Sequence, residues 1–432
     1  MFVFLGWGWA WLSALVNIFF DIWIKDIIVV DSNKSEITEK LQNKWIKVII
    51  WDNVYNYKKD DIVIYSDAVV NSKDFQKIKE NIKFSYFEVI WEISKRFQTI
   101  SIAWTHWKTS TTAMCITTWK KLWFENLALW IVWWFVPDLW NKNYYVNIDY
   151  KEDIKNIFEK IFTRKWARPT ELFKKYFFII EADEFNRHFL LLDSFISCIT
   201  KVDYDHKDIY KTKKEYLDAF NLFKTKTRWE VFEQEKIKNY PIDFKYIFWQ
   251  HMQKNASLVV ELYKHLWYKE KDILNSLKDF KWIWRRQEYL WQLNNLKIYT
   301  DYAHHPVEIQ ATLNAFKEHF KNEKIIWIFQ PHQIFRFVSY KKDFIEVLRQ
   351  FDELIIYDIY SVREEKLLKE LTWKDLPVEQ QKQIIWEDIA KQSWWVYINN
   401  FDDLIKNLKN KKWIWLLLTA WDLDYKMRKY IN

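Results

Sequence analysis

Lys108, Thr109 and Ser110 follow a short apolar run, Thr99-Ile-Ser-Ile-Ala103, and open a helical stretch. A lysine and a hydroxyl at a strand-to-helix junction suit phosphate. The lysine meets the β/γ charge, the hydroxyl holds Mg²⁺, and the helix N-terminus adds its dipole. Trp104, Thr105, His106 and Trp107 lie between run and helix. They complete a cradle only if both tryptophans are glycines, because backbone N–H groups must curl around phosphate oxygens. A second set, Glu181-Ala-Asp183-Glu184, ends the apolar run Phe177 to Ile180, and a third, Asp205-His206-Lys-Asp208, follows Phe195 to Thr200. Acids at the carboxyl ends of α/β strands beside a phosphate loop can hold a divalent metal or its waters. Either cluster alone reads equally well as solvated strand-end charge. Zinc fits poorly, since there is no thiolate cluster and no HExxH helix. His304-His305 could imitate a metal motif, yet Pro306 follows directly and suits a helix start.

The elements that must position these residues need turns, and here the composition is anomalous. The 432 residues include 2 Gly and 30 Trp, where an ordinary soluble chain of this size carries roughly thirty glycines. Glycine alone takes positive φ freely, so its near-absence from a multi-domain chain is physically implausible. The tryptophans follow neither the helical nor the strand period and cluster at turn-like places: Trp133-Trp134, Trp394-Trp395, Trp282-Ile-Trp284, Trp413-Ile-Trp415. The simplest cause is a gene whose UGA codons mean glycine, read with a table in which they mean tryptophan. On that reading the apolar opening from Met1 to Phe20 loses its resemblance to a membrane span, and no membrane insertion is expected. No basic region precedes it, which argues against a secretory signal. The net charge of +8 is small for the length, and lysines alternate with acids. This excludes a nucleic-acid binder by charge block. Two cysteines, Cys115 and Cys198, suit a reducing cytoplasm.

The pattern is α/β in three successive units. The first opens with a strand at Phe2 to Leu5, then Gly6-x-Gly8-x-x-Trp11, a helix from about Ser13, and an apolar strand closing on Asp31. With glycine at 11 this is a dinucleotide-type turn with an acid about twenty residues on. The second unit begins at Thr99. The third begins near Leu296 and alternates strands (Ile325 to Phe329, Leu354 to Tyr357, Trp415 to Leu418) with helices. Boundaries are expected near residues 96 and 295, with no repeat and no low-complexity linker.

Together these motifs resemble the Mur ligases over nearly the whole chain, most closely the member that adds the first amino acid of the peptidoglycan stem. Besides the loop at 104–112, the acids at 181–184 and Asp205-His206, the resemblance rests on four further segments. These are Trp249-Gln-His251-Met252-Gln-Lys-Asn255-Ala256, Arg285-Arg286-Gln287-Glu288, Asp301 to Glu308, and Gln330-Pro-His332-Gln333-Ile-Phe-Arg336. Tryptophans 11, 104, 107, 133, 134, 249, 282 and 421 coincide with family glycines. Met252, Gln287 and Gln333 depart from the family's asparagine, aromatic and arginine.

The resemblance implies a Rossmann-like N-terminal domain (1–95) for the UDP substrate, a central P-loop ATPase domain (96–294) and a Rossmann-like C-terminal domain (295–432) for the amino acid. It implies a cytoplasmic enzyme using ATP and Mg²⁺ to join L-alanine to UDP-N-acetylmuramate through an acyl phosphate. ATP would be held by 104–110, Asn255, Arg286 and Asp301. Lys108, Glu181 and His206 would be catalytic, and Thr109, Glu181 and His206 would hold metal. Gly6, Gly8, Trp11 and Asp31 would bind the UDP substrate, and His305, His332 and Arg336 the alanine. Two alternatives stand beside this: a ligase that recycles a ready-made tripeptide, which Phe189-Leu-Leu-Leu192 disfavours, and a nicotinamide-dependent dehydrogenase, suggested by the first turn alone. A literal reading of the N-terminus would also allow a membrane-anchored, non-catalytic protein.

Overall fold

A computed structural model describes the chain except residues 7–9, 33, 51–54, 104–107, 123–125, 140, 163–175, 207–208, 248–249, 282–283, 294–295, 333, 360–394, 410, 412, 421 and 432. The chain forms two compact units, residues 1–245 with 253–281, and residues 246–252 with 282–432.

The first unit contains two sheets. Strands β1 (Phe2–Leu5), β2 (Ile27–Asp31), β3 (Lys47–Ile50), β4 (Ile62–Tyr65) and β5 (Ile82–Ser85) form a parallel sheet in the order β3-β2-β1-β4-β5. Most residues of β1 and all of β2 are buried, which is why they read as unbroken Val/Ile/Leu/Phe runs rather than alternating ones. The order reverses direction between β1 and β4. Their carboxyl ends, at Gly6 and Ser66, therefore flank the crevice where open α/β sheets take ligands. A helix, Ala10–Asp21, buries Leu12, Leu15, Val16 and Phe19 against this sheet. The apolar opening is thus divided between β1 and this helix, and no helix among the described residues is long and apolar enough to cross a membrane.

The second sheet comprises β6 (Gln98–Ala103), β7 (Leu127–Val136), β8 (Lys142–Val146), β9 (Phe177–Ala182), β10 (Ser194–Ile199) and β11 (Glu230–Glu233), ordered β11-β10-β6-β9-β7-β8. Only the β7–β8 pair is antiparallel. Central β6 sits between β9 and β10, with Ala103 opposite Ala182 and Ile199. The residues that follow these three strands are consequently gathered at one sheet edge.

In the other unit, β12 (Glu288–Leu293), β13 (Leu296–Asp301), β14 (Ile325–Gln330), β15 (Leu354–Tyr357), β16 (Val396–Ile398) and β17 (Ile414–Thr419) are ordered β12-β13-β17-β14-β15-β16, with β12 antiparallel. Arg285 donates to Asp424 (2.8 Å), and Arg428 bridges Asp424 and Glu288, which pins the helix Asp422–Ile431 to the start of β12. Pro306 does begin a helix, Pro306–His319, capped by His305.

Three helix ends share one geometry. After Ala10–Asp21, the Trp23 amide donates to Phe20 O and that of Ile24 to Phe19 O. Trp45 and Ile46 do the same to Gln42 and Leu41, and Trp267 and Tyr268 to Lys264 and Tyr263. This crossed pair of bonds is the Schellman cap, whose C′ residue is left-handed and usually glycine. Here tryptophan holds it, with φ of 70°, 65° and 70°, and the side chains are 63%, 94% and 92% exposed at Trp23, Trp45 and Trp267.

Candidate active site

Lys108 begins the helix Lys108–Lys121 directly beyond β6. Its Nζ lies 3.0 Å from Asp183 Oδ1 and also donates to Glu184 Oε2. Burial alone would lower its pKa, but the charges of Glu184 and Asp183 hold it above the ordinary lysine value. Asp183 is the converse. Burial disfavours its charge, yet Lys108 and His188 outweigh this and hold it at about 2. Residues 104–107, including the expected contributions of Trp104, Thr105, His106 and Trp107, lie outside the described residues. Ser110 is buried in the helix's first turn.

Glu181 is the other pole of the site. Burial pushes its pKa up to about 7, against the Thr109 hydroxyl, the Lys108 charge and the Trp133 amide, all of which favour the carboxylate. The β7–β9 ladder ends at Ile131 opposite Ile180. Past that point the Trp133 N–H donates to Glu181 Oε2 at 2.7 Å instead of to a strand. Oε1 is buried and makes no hydrogen bond among the described residues. An acid with one spare oxygen beside a threonine hydroxyl fits a hard divalent cation. His206, left-handed at φ 52°, places Nε2 3.2 Å from Glu184 Oε1. The structure thus joins Thr109 to Glu181, and His206 to Glu184. No cluster of three or more acidic, histidine or cysteine residues able to hold a metal occurs among the described residues. Asn255 is buried, and its Oδ1 accepts from Gln234 at 2.6 Å.

Two depressions flank the first sheet. Gly6 and Asp31 line one, with Leu12, Ser13, Ile37 and Thr38. A Cβ on Gly6 would come within 2.4 Å of Leu12 Cδ2, so the end of the Leu12 side chain would have to shift to admit one. Gly8 lies outside the described residues. Trp11 lines the other depression, with Tyr86, Phe87, Glu181 and His188, and its ring packs 4.8 Å from that of Trp133.

In the other unit Asp301 is fully enclosed. Burial raises its pKa to about 6, although Arg286 and the amides of Gln287 and Ala303 favour its charge. Arg286 lies 3.6 Å from Glu308 and over the Tyr302 ring. His304 sits in the same group: its Nδ1 is 2.9 Å from Tyr302 O, and its ring meets that of His332 edge-on at 5.9 Å. Burial, with Arg336 and Arg286 nearby, lowers its pKa to about 4. Burial, His304 and Arg336 depress that of His332 as well. Two imidazoles held neutral beside two guanidiniums make a set of donors suited to a small anion. His305 caps its helix, accepting from the Val307 amide, and packs on Tyr340. The sequence reading gave no site role to His304, His188 or the Trp133 amide. A histidine pair before Pro306 was visible, but which ring faces inward is set by the cap.

Residues 285–411 match the family model "Mur ligase, glutamate ligase domain". A UDP-N-acetylmuramate–L-alanine ligase of Clostridium kluyveri is 28% identical over 415 residues, covering 84% of each chain. One of Christiangramia forsetii is 26% identical over 416 residues, again covering 84% of each. The chain resembles the Mur ligases, by this model over 285–411 and by these relatives over most of its length. Its fold is that of the UDP-N-acetylmuramate-alanine ligase of Thermotoga maritima, at TM-score 0.75 and 21% identity, covering 100% of this chain and 98% of the other. A murein peptide ligase of Psychrobacter arcticus shares the fold at TM-score 0.61 and 15% identity, covering 97% and 96%. These relatives and neighbours are named as ligases and not as dehydrogenases.

Proposed function

We infer that this protein joins L-alanine to UDP-N-acetylmuramate at the expense of ATP, in the cytoplasm, as a step of peptidoglycan precursor synthesis. The observation that carries the reading is the convergence of Lys108, Thr109, Glu181, Asp183 and His206 at the carboxyl edge of one sheet, in a chain whose relatives bear that activity. A carboxylate is a poor electrophile, and phosphorylation supplies a leaving group that the alanine amine then displaces. Catalysis is mainly positioning and charge neutralisation. Lys108 steadies the transferring phosphate. Thr109 and Glu181 would hold Mg²⁺, with His206 beside Glu184 as a further ligand, and the metal would supply charge neutralisation between carboxylate and phosphate. Gly6, Gly8, Asp31 and the residue at 11 bind the UDP substrate. Asn255, Arg286 and Asp301 serve the nucleotide, while His305, His332 and Arg336 serve alanine. The domain limits 1–95, 96–294 and 295–432 belong to the same proposal.

We also infer that most printed tryptophans are glycine in the working protein. Besides the composition, the three left-handed, exposed Schellman tryptophans support this. The test of function is phosphate release by the glycine-restored protein with ATP, UDP-N-acetylmuramate and either L-alanine or the stem tripeptide. Release that requires alanine is expected, and release with tripeptide but not alanine would overturn the assignment.

A further inference from the structure

His188 is a buried, ionisable contact that the proposed chemistry leaves unused. It sits in the helical segment Phe185–Leu191 just after the acids of β9, in a bend made by two left-handed residues, Asn186 (φ 52°) and Arg187 (φ 61°). A left-handed arginine is strained, so contacts around the bend help to hold it. Those contacts reach the first sheet. The imidazole lies flat on Phe87 of the helix Tyr86–Ser94, with ring centroids 3.5 Å apart and planes at 16°. Its Nε2 is 2.7 Å from Asp67 Oδ2, on the short turn that follows β4. Its Nδ1 faces Asp183 Oδ2 at 3.8 Å, an ion-pair distance too long for a hydrogen bond. The other oxygen of Asp183 takes Lys108.

A continuous path of ionisable groups therefore runs from the first sheet to the phosphate lysine: Asp67, His188, Asp183, Lys108. We propose that His188 is a positioning residue that makes the setting of Lys108 depend on how the first sheet is seated against the second. The proposal rests on the reading of Lys108 as the phosphate lysine. Asp183 thus has Lys108 on one oxygen and the His188 ring facing the other, so the two compete for its charge. With His188 gone, Asp183 is left to Lys108 alone and holds it more tightly, so nucleotide must compete harder for the lysine.

The test is nucleotide affinity, which needs no turnover. In the full-length protein carrying glycine at 104 and 107, a fluorescent ATP analogue with Mg²⁺ is titrated into the parent, Asp67→Ala, His188→Ala, His188→Gln and the Asp67/His188 double alanine variant. The two single alanine variants should bind roughly fivefold more weakly, and the double variant no worse than either, as expected for residues on one path. His188→Gln, which keeps a donor toward Asp67, should recover most of the loss. Asp67 is far enough along the path that a merely structural role would leave nucleotide affinity alone. Affinities within twofold of the parent for both single alanine variants would overturn the proposal, as would a parent that binds no nucleotide. Alanine-dependent phosphate release is followed in parallel. A parent without it, whose alanine variants still shift nucleotide affinity, would sink the ligase reading and leave the path standing.

Discussion

Trp45 and Trp267 offer a direct measurement of what tryptophan costs where the backbone wants glycine. Both occupy the left-handed position of a Schellman cap, at φ 65° and 70°, and are 94% and 92% exposed. An L-residue there costs roughly 1–2 kcal/mol over glycine, and glycine gives back about 0.5–1 kcal/mol through its freer unfolded backbone. With almost no burial to lose, Trp→Gly at either site should stabilise the first unit by about 0.5–1 kcal/mol. At Trp23, 63% exposed with Lys151 4.5 Å over its ring, a cation–π contact of about 0.5 kcal/mol offsets part of the gain. The caps lie at separate helix ends, so the gains at 45 and 267 should add to about 1–2 kcal/mol, or roughly 2–8 °C in Tm for a unit of this size. The assay is equilibrium urea unfolding and thermal melting of single and double variants, with Trp45→Ala and Trp267→Ala as controls. Alanine removes the indole but keeps the left-handed penalty, so it should give little or no gain. If alanine stabilises as much as glycine, or glycine destabilises, the conformational argument is wrong and the caps lend no support to recoding.

In the glycine-restored protein, Lys108→Ala and Glu181→Ala should each cut alanine-dependent phosphate release at least tenfold, about 1.4 kcal/mol in the barrier, with the circular dichroism spectrum unchanged; a variant keeping more than that loses its catalytic assignment. The chain with Trp104 and Trp107 should fail to bind a fluorescent ATP analogue in Mg²⁺, while glycine at both positions restores saturable binding, because an indole occupies the approach of phosphate oxygens to backbone amides. Equal titrations would refute this. His304 is neutral when folded, its pKa lowered from 6.5 to about 4, so the unfolded chain binds the extra proton first and stability falls as pH drops from 6.5 toward 4. Asp301, raised from 3.8 to about 6, slopes the opposite way, losing stability as pH rises through that window. His304→Gln should therefore remove an acid-side loss on the order of 3 kcal/mol, and parallel pH–stability curves for parent and variant would show that His304 is not buried neutral.

The strands rich in Val and Ile were legible from their runs: β1, β2, β6, β9, β10, β14, β15 and β17 fall where the pattern places them. The first helix starts at Ala10 rather than near Ser13, because the Gly-x-Gly-x-x-Trp pattern reads as a turn through Trp11, whereas the helix already opens inside it. The long β7 and its partner β8 were hidden, since Leu127 to Val136 carries three tryptophans where turn residues would otherwise break the run. The motifs at 104–112 and 181–184 named one edge of one sheet, and β6 and β9 are indeed neighbours in register there. What stayed illegible is every contact between elements distant in sequence. Asp67 meeting His188, and His304 rather than His305 meeting His332, depend on a bend and a cap that local pattern does not encode.

The bond from the Trp133 amide to Glu181 carries a consequence for how such a site drifts over generations. The donor belongs to the main chain, so any of nineteen residue types at 133 supplies the same N–H, and a side-chain scan of the position would miss it. Only proline, which has no amide hydrogen, would strip the carboxylate of this partner. Part of what tunes the acid is thus inherited through the course of a strand, and variation at 133 records the room available to a side chain there rather than the chemistry the position performs.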